Sequence, residues 1–184
     1  MLSEGAAICV VESEEAAAAR GARPIAEIAS YSATSDAFHP FTPLPTGEEG
    51  RRAIQVALEQ AGVGPHAIDC YSAHAVGSQS SDQVELDIVR SVFGEGVPRV
   101  PISAIKSTIG HTMGAAGALQ LVACALTIQT STIPPTMNLG IADRARGFDL
   151  VPNEARNRLV RVAVSPTFGF GSRNAALVVK QHGP

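Results

Sequence analysis

Three short segments hold the residues of this chain that are best suited to chemistry. The segment KSTIGHTMGAAG, residues 106–117, places Lys106 and His111 five residues apart, before a helix rich in Gly and Ala. The segment SAHAVGS, residues 72–78, sets His74 after a predicted strand, where a lone histidine is more often structural than catalytic. The segment FGFG, residues 168–171, alternates Phe and Gly, which suits the approach of backbone N–H groups to an oxyanion, although it also suits a plain hairpin turn.

The Lys-His segment is the most informative of the three. We expect a helix from about Thr112 to Gln129, so that the positive end of its dipole disfavours the imidazolium form of His111. A neutral ring that donates one N–H suits the polarisation of a thioester carbonyl. A glycine-rich phosphate loop is the alternative, but GxxxxGK[ST] is absent and Lys106 precedes the glycines.

Alternating strands and helices predict a largely parallel sheet that is covered on both faces. The predicted strands are Ala6–Glu12, Pro24–Ala33, Ala67–His74, Arg99–Ala104, Leu159–Phe168 and Asn174–Lys180. The predicted helices are a capped segment from Thr46, with Glu49 as its capping-box partner, to Ala61, then Ser81–Phe93 and Thr112–Gln129. Ligands gather at the carboxyl ends of parallel strands, so the three segments are expected to converge on one site.

Composition narrows the classes of function. The 184 residues are 45% hydrophobic, which fits one compact unit, and a net charge of -3 with no Trp disfavours nucleic acid as a partner. The longest apolar stretch, Ala115–Ile128, contains Gly117, Gln120 and Thr127, so no membrane span is expected; nor is a signal peptide, and we expect a cytoplasmic protein. The three cysteines, Cys9, Cys70 and Cys124, are expected to be buried reduced thiols.

In this order the segments resemble motifs of the β-ketoacyl-acyl carrier protein synthases. The family's NAHGTST corresponds to SAHAVGS, its KSxxGHxxGAAG to KSTIGHTMGAAG, and its SFGFGGTN to TFGFGSRN. The opening EGAAICVVE and the later IPPTMNLG also resemble family segments, so the resemblance covers essentially the whole chain.

The resemblance implies an α/β fold. Residues 34–184 are expected to form the C-terminal half of a thiolase fold, a βαβαβαββ mixed sheet with helices on both faces. Residues 1–33 are expected to form the last strand pair of the N-terminal half, within one unit of residues 1–184. The family's elbow cysteine belongs to the first half of the fold, and no cysteine here has a matching context.

The resemblance also implies residue roles. His74 and His111 are expected to stabilise the enolate that forms when a malonyl thioester loses carbon dioxide, and Lys106 to hold the histidine pair. Phe170 is expected to supply an oxyanion-hole N–H and to gate the acyl channel. The expected substrate or pantetheine contacts are Ser78, Thr42, Phe168, Gly169 and Gly171.

No metal or cofactor is expected, because the substrates travel on the phosphopantetheine of an acyl carrier protein. The expected partners are that carrier protein and an N-terminal half that supplies the nucleophilic cysteine, in a dimer or heterotetramer. A zinc site from His74, His111 and His39 is the weakest alternative, because Lys106 opposes a cation. A thiolase is disfavoured because no cysteine follows Cys124.

Two further interpretations stay open: a non-catalytic subunit similar to a chain-length factor, and a fragment of a longer synthase. Departures from the family pattern bear on the first, because they put turnover in question more than fold. They are Ser72 for Asn, Val76 and Ser78 for two Thr, Gln120 for Glu, Pro166 for Asn, and Ser172-Arg173 for Gly-Thr.

Overall fold

A computed structural model describes residues 1–140 and 147–183. The helices are α1 Glu14–Ala19, α2 Glu48–Gln60, α3 Gln79–Phe93, α4 Lys106–Ile109 and α5 Ala116–Thr130. The strands are β1 Glu27–Ser35, β2 Cys70–Ser72, β3 Ile102–Ser103, β4 Thr132–Ile133, β5 Arg156–Asn157, β6 Val162–Gly169 and β7 Arg173–Lys180. Short 3₁₀ turns lie at Pro65–Ala67, Gly94–Arg99 and Met113–Ala115.

Five strands form a mixed sheet in the order β1-β7-β6-β2-β3. Strand β7 runs antiparallel to both of its neighbours, β1 and β6, whereas β6, β2 and β3 are parallel to one another. Strands β4 and β5 form a separate antiparallel pair. The predicted mixed sheet is therefore present, and the carboxyl ends of β2, β3 and β6 lie at the same edge.

Helices cover both faces of the sheet, as predicted. Val178 of β7 packs in the core formed with α2 and α3, while the next residue, Val179, packs in a second core that contains Cys124 and Ile128 of α5. Because successive side chains of a strand point to opposite faces, α5 lies across the sheet from α2 and α3.

Helix α2 forms because its apolar residues recur on one side. Ala53, Ile54, Ala57 and Leu58 are buried, at the spacing of one helical face. The predicted capping box of Thr46 and Glu49 is wrong. Gly47 is the N-cap, at a positive φ of 61°, no side chain caps the helix, and the Glu49 carboxylate binds Arg52 instead.

Gly47 explains why close packing and not a capping side chain fixes the start of α2. A Cβ atom at this position would lie 2.6 Å from Cγ1 of Ile88 on α3. Only a residue without a side chain therefore allows α2 to begin this close to α3, at a backbone conformation that glycine adopts without strain.

The predicted strand Ala6–Glu12 is wrong, and so is its pairing with the next strand. Residues 6–12 form no ladder, and Ile8 is 94% exposed. The strand predicted at Pro24–Ala33 forms as β1, but it pairs with β7 and so belongs to the same sheet as the rest of the chain. An apolar strand needs a partner strand for its backbone groups, and no described strand pairs with residues 6–12.

The burial of the three cysteines depends on whether the predicted elements form. Cys70 and Cys124 are buried, as predicted, and burial raises the pKa of both thiols, that of Cys124 to about 11. Cys9 is exposed, which contradicts the prediction, because the strand that was expected to bury it does not form.

The segment Met113–Thr130 is long and apolar enough to be a candidate membrane span by composition, which the sequence analysis did not anticipate. In the fold, Gln120, Cys124 and Ile128 of this segment are buried, and α5 packs against β6 and β7. The opposite side of α5 stays open, with Leu126 47% exposed. A helix with one face packed on the sheet and apolar residues on its other face is typical of a protein core in which further structure packs on that other face.

We predict that the chain on its own self-associates, because Ile8, Val10 and Val11 are 94%, 86% and 69% exposed within one run. The double variant Ile8→Glu, Val10→Glu is expected to shift the protein toward monomer in sedimentation velocity. The matched control is Leu159→Glu, which adds charge at an apolar side chain that is 50% exposed elsewhere. A wild-type chain that sediments as a clean monomer contradicts the prediction.

Candidate active site

His74 lies directly beyond β2, where the chain turns through Ala75 at a positive φ of 31°. The imidazole is 6% exposed, and its ring centroid lies 5.8 Å from that of His111 and 5.7 Å from that of Phe168, edge to face in both cases. The two histidines that the sequence predicted to converge therefore meet. Nδ1 of His74 is buried and has no hydrogen-bond partner among the described residues.

Glu85 of α3 holds the backbone that carries His74. Its carboxylate accepts hydrogen bonds from the backbone N–H groups of His74 at 2.8 Å and Ala75 at 2.7 Å, and from the Tyr71 hydroxyl at 3.2 Å. Burial raises the pKa of Glu85, and the two backbone donors oppose that rise. Three donors aimed at one carboxylate fix the turn after β2.

Asp82, one turn earlier on α3, holds the following residues in the same way. Its two carboxylate oxygens accept the backbone N–H groups of Val76 and Gly77, each at 3.0 Å. Ser78 precedes α3, and its hydroxyl lies 3.3 Å from that of Ser80. Ser78 does not line the cavity beside the histidines, whereas Ser81 does. The substrate contact of Ser78 therefore stays a prediction, because Ser78 is not among the residues that line the cavity.

Lys106 contacts the backbone of His74 from the first residue of α4. It is the first residue of α4 and is only 8% exposed, and its Nζ donates to the backbone carbonyl of His74 and, at 2.9 Å, to Oε1 of Gln120. Burial lowers the pKa of Lys106 to about 8, while Glu85 and Asp82 oppose that shift. The ammonium group therefore acts through the backbone of His74.

His111 has one ring nitrogen occupied by the backbone. Its Nδ1 accepts the backbone N–H of Met113 at 3.1 Å, so the proton of the neutral ring resides on Nε2. The helix predicted from about Thr112 begins with a 3₁₀ turn at Met113 and becomes α-helical, as α5, at Ala116. The dipole of α5 is thus farther from the ring than predicted.

Burial and the charge of Lys106 keep both imidazoles neutral, whereas the sequence analysis considered only the helix dipole and only His111. Burial, followed by the charge of Lys106, lowers the pKa of His74 to about 3, and the same two causes lower the pKa of His111. Both rings are consequently neutral at pH 7 and can serve as hydrogen-bond donors or acceptors to a ligand. The predicted protonation state holds for a different physical reason.

A cavity of about 330 Å³ opens beside the two rings. Its walls are mostly apolar and come from the loop after β1, the start of α2, one face of α3 and the end of β6. The predicted contacts Thr42, Phe168 and Gly169 line it, together with Phe170, but Gly171 does not. Residues that the sequence analysis did not name also line it, among them Phe41, Leu44, Val84 and Ile88.

Phe170 stands at the mouth of this cavity. Its side chain is 62% exposed and meets the ring of Phe41 edge to face, with 5.6 Å between centroids. The next residue, Gly171, has a φ of 77° and donates its N–H to the carbonyl of Pro40 at 2.7 Å. The turn that carries Phe170 is therefore joined to the loop that carries Phe41.

Ser172 strengthens this junction. Its hydroxyl accepts the backbone N–H groups of Phe38 at 3.2 Å and His39 at 3.1 Å and donates to the carbonyl of His39 at 2.9 Å. Asn174 adds a bond at 2.6 Å to the carboxylate of Asp36 in the same loop. A glycine at position 172 could make none of the hydroxyl contacts.

Sequence reasoning missed Glu85, although a signal was present. Glu85, Ile88, Val89 and Val92 recur at helical spacing on the buried face of α3, so a charged residue interrupts an apolar stripe. A buried carboxylate needs donors. The turn after β2 supplies those donors, because its backbone N–H groups have no partner in a strand.

None of the three cysteines lines the cavity. Among the described residues no group of three or more His, Cys, Asp and Glu side chains is arranged to hold a metal ion. His39, the third histidine of the weakest zinc alternative, uses Nδ1 to accept the backbone N–H groups of Phe41 and Thr42. The site thus has donors for an anionic oxygen but no cysteine nucleophile among the described residues that line it.

A family model described as "Beta-ketoacyl synthase, C-terminal domain" matches residues 25–140. The chain belongs to the β-ketoacyl synthase family. The match begins just before β1, which agrees with the pairing of β1 inside this sheet and not in another.

Curated relatives extend the likeness to nearly the whole of this synthase-family chain. The 3-oxoacyl-[acyl-carrier-protein] synthase 2 of Staphylococcus aureus is 40% identical over 98% of the chain and 45% of the relative. That of Rhizobium meliloti (strain 1021) is 42% identical over 99% of the chain and 43% of the relative. The chain spans less than half the length of these relatives.

Solved structures support the same fold assignment, the C-terminal half of a thiolase-fold ketosynthase. The ishigamide ketosynthase/chain length factor superposes with a TM-score of 0.87 at 39% identity, over 94% of this chain and 42% of that one. A type II polyketide acyl-carrier protein in complex with its ketosynthase gives 0.89 at 30% identity, over 94% and 42%.

We predict that Glu85→Gln lowers the free energy of unfolding by about 2 kcal/mol, because an amide places N–H donors against backbone N–H donors in a buried position. Urea unfolding of the variant and of wild type measures the difference. The matched control is Glu59→Gln on the exposed side of α2. Equal losses in the two variants contradict the role that we assign to Glu85.

Proposed function

We propose that this chain forms the histidine and lysine side of a β-ketoacyl synthase active site, which condenses a malonyl thioester with an acyl thioester. The contact of His74 and His111, with Lys106 bonded behind them, carries the proposal. Two neutral imidazoles beside a buried cation suit negative charge that develops on a thioester oxygen.

In the proposed reaction, the bond between the malonyl carboxylate and its α carbon breaks, and carbon dioxide leaves. The electron pair passes into the thioester, so that an enolate oxygen becomes negative. Nε2–H of His111 donates to that oxygen, because Nδ1 is already occupied by the Met113 N–H. His74 completes the pocket for the oxygen from the adjacent ring.

The carbon of the enolate then attacks the carbonyl of an acyl group bound to a cysteine, and the cysteine thiolate leaves. We assign that cysteine to an N-terminal half, because the chain's own three cysteines lie outside the cavity. The backbone of Phe170, at the end of β6, is the proposed donor to the oxyanion of this second step. Its exposed ring is the proposed gate.

The proposed partners are the N-terminal half, an acyl carrier protein and further subunits of a dimer or heterotetramer, working in the cytoplasm. The exposed run at residues 6–12 and the open side of α5 support a second layer of structure against this chain. The relatives include a carrier protein complex with its ketosynthase and a ketosynthase/chain length factor, which supports both kinds of partner.

A non-catalytic, chain-length-factor-like role is the second candidate. Val76, Gln120 and Arg173 favour it, since each differs from the residue type that the resemblance has at that position. The geometry favours the catalytic role, because Gln120 still bonds Lys106 and the imidazoles still meet. The decarboxylation experiment below separates the two.

We predict that His111→Ala slows carbon dioxide release from malonyl-acyl carrier protein roughly 100-fold or more, as expected when an oxyanion donor is removed. The assay uses the chain co-expressed with the N-terminal half of the Staphylococcus aureus relative. The control is His66→Ala, which removes an exposed histidine outside the cavity. Equal rates in His111→Ala and wild type support the non-catalytic candidate instead.

We predict that the same rate persists below pH 6.5 and falls as the pH rises through about 8. The lowered pKa values of both histidines keep the rings neutral in mild acid, and loss of the Lys106 proton at the lowered pKa removes the positive charge in alkali. A pH series at constant ionic strength measures both limbs. A rate that stays flat from neutral pH to pH 9.5 or so speaks against the role of Lys106.

A further inference from the structure

Gln120 is surrounded by hydrogen-bond donors and acceptors in an arrangement that suits a carboxamide side chain. The residue is fully buried on α5, and its Nε2 lies 3.2 Å from the carbonyls of Ser72 and Pro166 and 3.3 Å from that of Ala73. The hydroxyl of Ser165 lies at 3.4 Å. Its Oε1 accepts from Lys106 at 2.9 Å.

A carboxamide fits this pattern because it has N–H donors on one side and a carbonyl acceptor on the other. An ionised carboxylate here would place a second oxygen among three carbonyl oxygens while offering them no proton. Gln120 is thus matched to its surroundings, although it stands where the resemblance has a glutamate.

The match determines the electrostatics of Lys106. The two acceptors of its ammonium group, the His74 carbonyl and Oε1 of Gln120, are both neutral. Across the described ranges 1–140 and 147–183, no carboxylate forms a salt bridge with Lys106 within 4.0 Å. Glu85 and Asp82 act on Lys106 from farther away, and their oxygens are occupied by backbone N–H groups.

We propose that Gln120 is a positioning residue, a neutral clamp that fixes Lys106 against the carbonyl of His74 and leaves the ammonium charge unpaired beneath the two imidazoles. This proposal rests on the proposed function. The clamp also joins the end of β2 to β6, because its amide contacts carbonyls of Ser72 and Pro166. The unpaired charge suits a site that accepts an enolate.

The clamp sets how the site responds to pH. Ionisable groups that face the cluster are Lys106 of α4, Asp82 and Glu85 of α3, His74 after β2, His111 after α4, and the amino group of Met1. An unpaired ammonium disfavours the imidazolium form of both rings, so they stay neutral in mild acid. A carboxylate at position 120 would reverse part of that effect.

Gln120→Glu is the test, with Gln129→Glu, on the exposed side of the same helix, as its control. We expect the acid and alkaline limbs of the carbon dioxide release profile to move upward by about one pH unit in Gln120→Glu, because a carboxylate stabilises neighbouring cations. Gln129→Glu is expected to leave both limbs in place. Coincident profiles for Gln120→Glu and wild type overturn the proposal.

Gln120→Leu tests the positional part of the clamp. Without the amide, Lys106 loses one of its two acceptors, so we expect kcat to fall roughly tenfold or more while KM changes little. Its alkaline limb is expected to move to lower pH, since the ammonium form has lost an acceptor. A variant that loses thermal stability but keeps the wild-type kcat and limbs assigns Gln120 a structural role and overturns the clamp.

Histidine titration by NMR separates failure of this proposal from failure of the proposed function. Resonances of His74 and His111 are followed in the full chain, in the Ile8→Glu, Val10→Glu background for every sample. We expect their midpoints to rise in Gln120→Glu and to stay unchanged in Gln129→Glu. If the wild-type protein releases no carbon dioxide, the proposed function is wrong. The change in histidine midpoints between wild type and Gln120→Glu still supports or overturns the clamp in that case.

Discussion

A buried ammonium group where the ends of two parallel strands meet is the constraint on which the site depends. Lys106 is buried and therefore needs acceptors from the protein, and the carbonyl of His74 and the amide of Gln120 supply them. Satisfying one cation thereby fixes the turn after β2 and its distance from α5. The imidazole positions follow from that arrangement, because His74 belongs to the turn and His111 follows the helix that begins with Lys106.

The carboxylates of α3 provide the second half of the support. Glu85 and Asp82 together accept four backbone N–H groups from residues 74–77, among them that of the buried His74. The turn is thus held from α3 by anions and from α4 by a cation. Between them the two supports place neutral rings beside an apolar cavity, where hydrogen bonds are electrostatically stronger than in water.

Sequence reasoning reached the contact of His74, Lys106 and His111 because alternating strands and helices place strand ends at one edge. It failed where the outcome depends on close packing or on absent neighbours. Gly47 begins α2 because a side chain there would strike Ile88, a contact that no local pattern reveals. Residues 6–12 read as a buried strand, but no described strand accompanies them. Ser81 on α3 lines the cavity, whereas Ser78, which precedes α3, does not, and a difference of three residues is as small as the uncertainty of a helix boundary predicted from sequence.

The hydroxyl of Ser172 bonds three backbone groups in a loop more than 130 positions earlier in the chain. Two surface segments that flank the cavity mouth are therefore mechanically one unit. Redesign of the width of that mouth therefore requires that residues 38–41 and 170–172 be varied in the same library. A change in one segment alone would break hydrogen bonds to the other. Covariation between these stretches in selected variants is the signature that such coupling leaves.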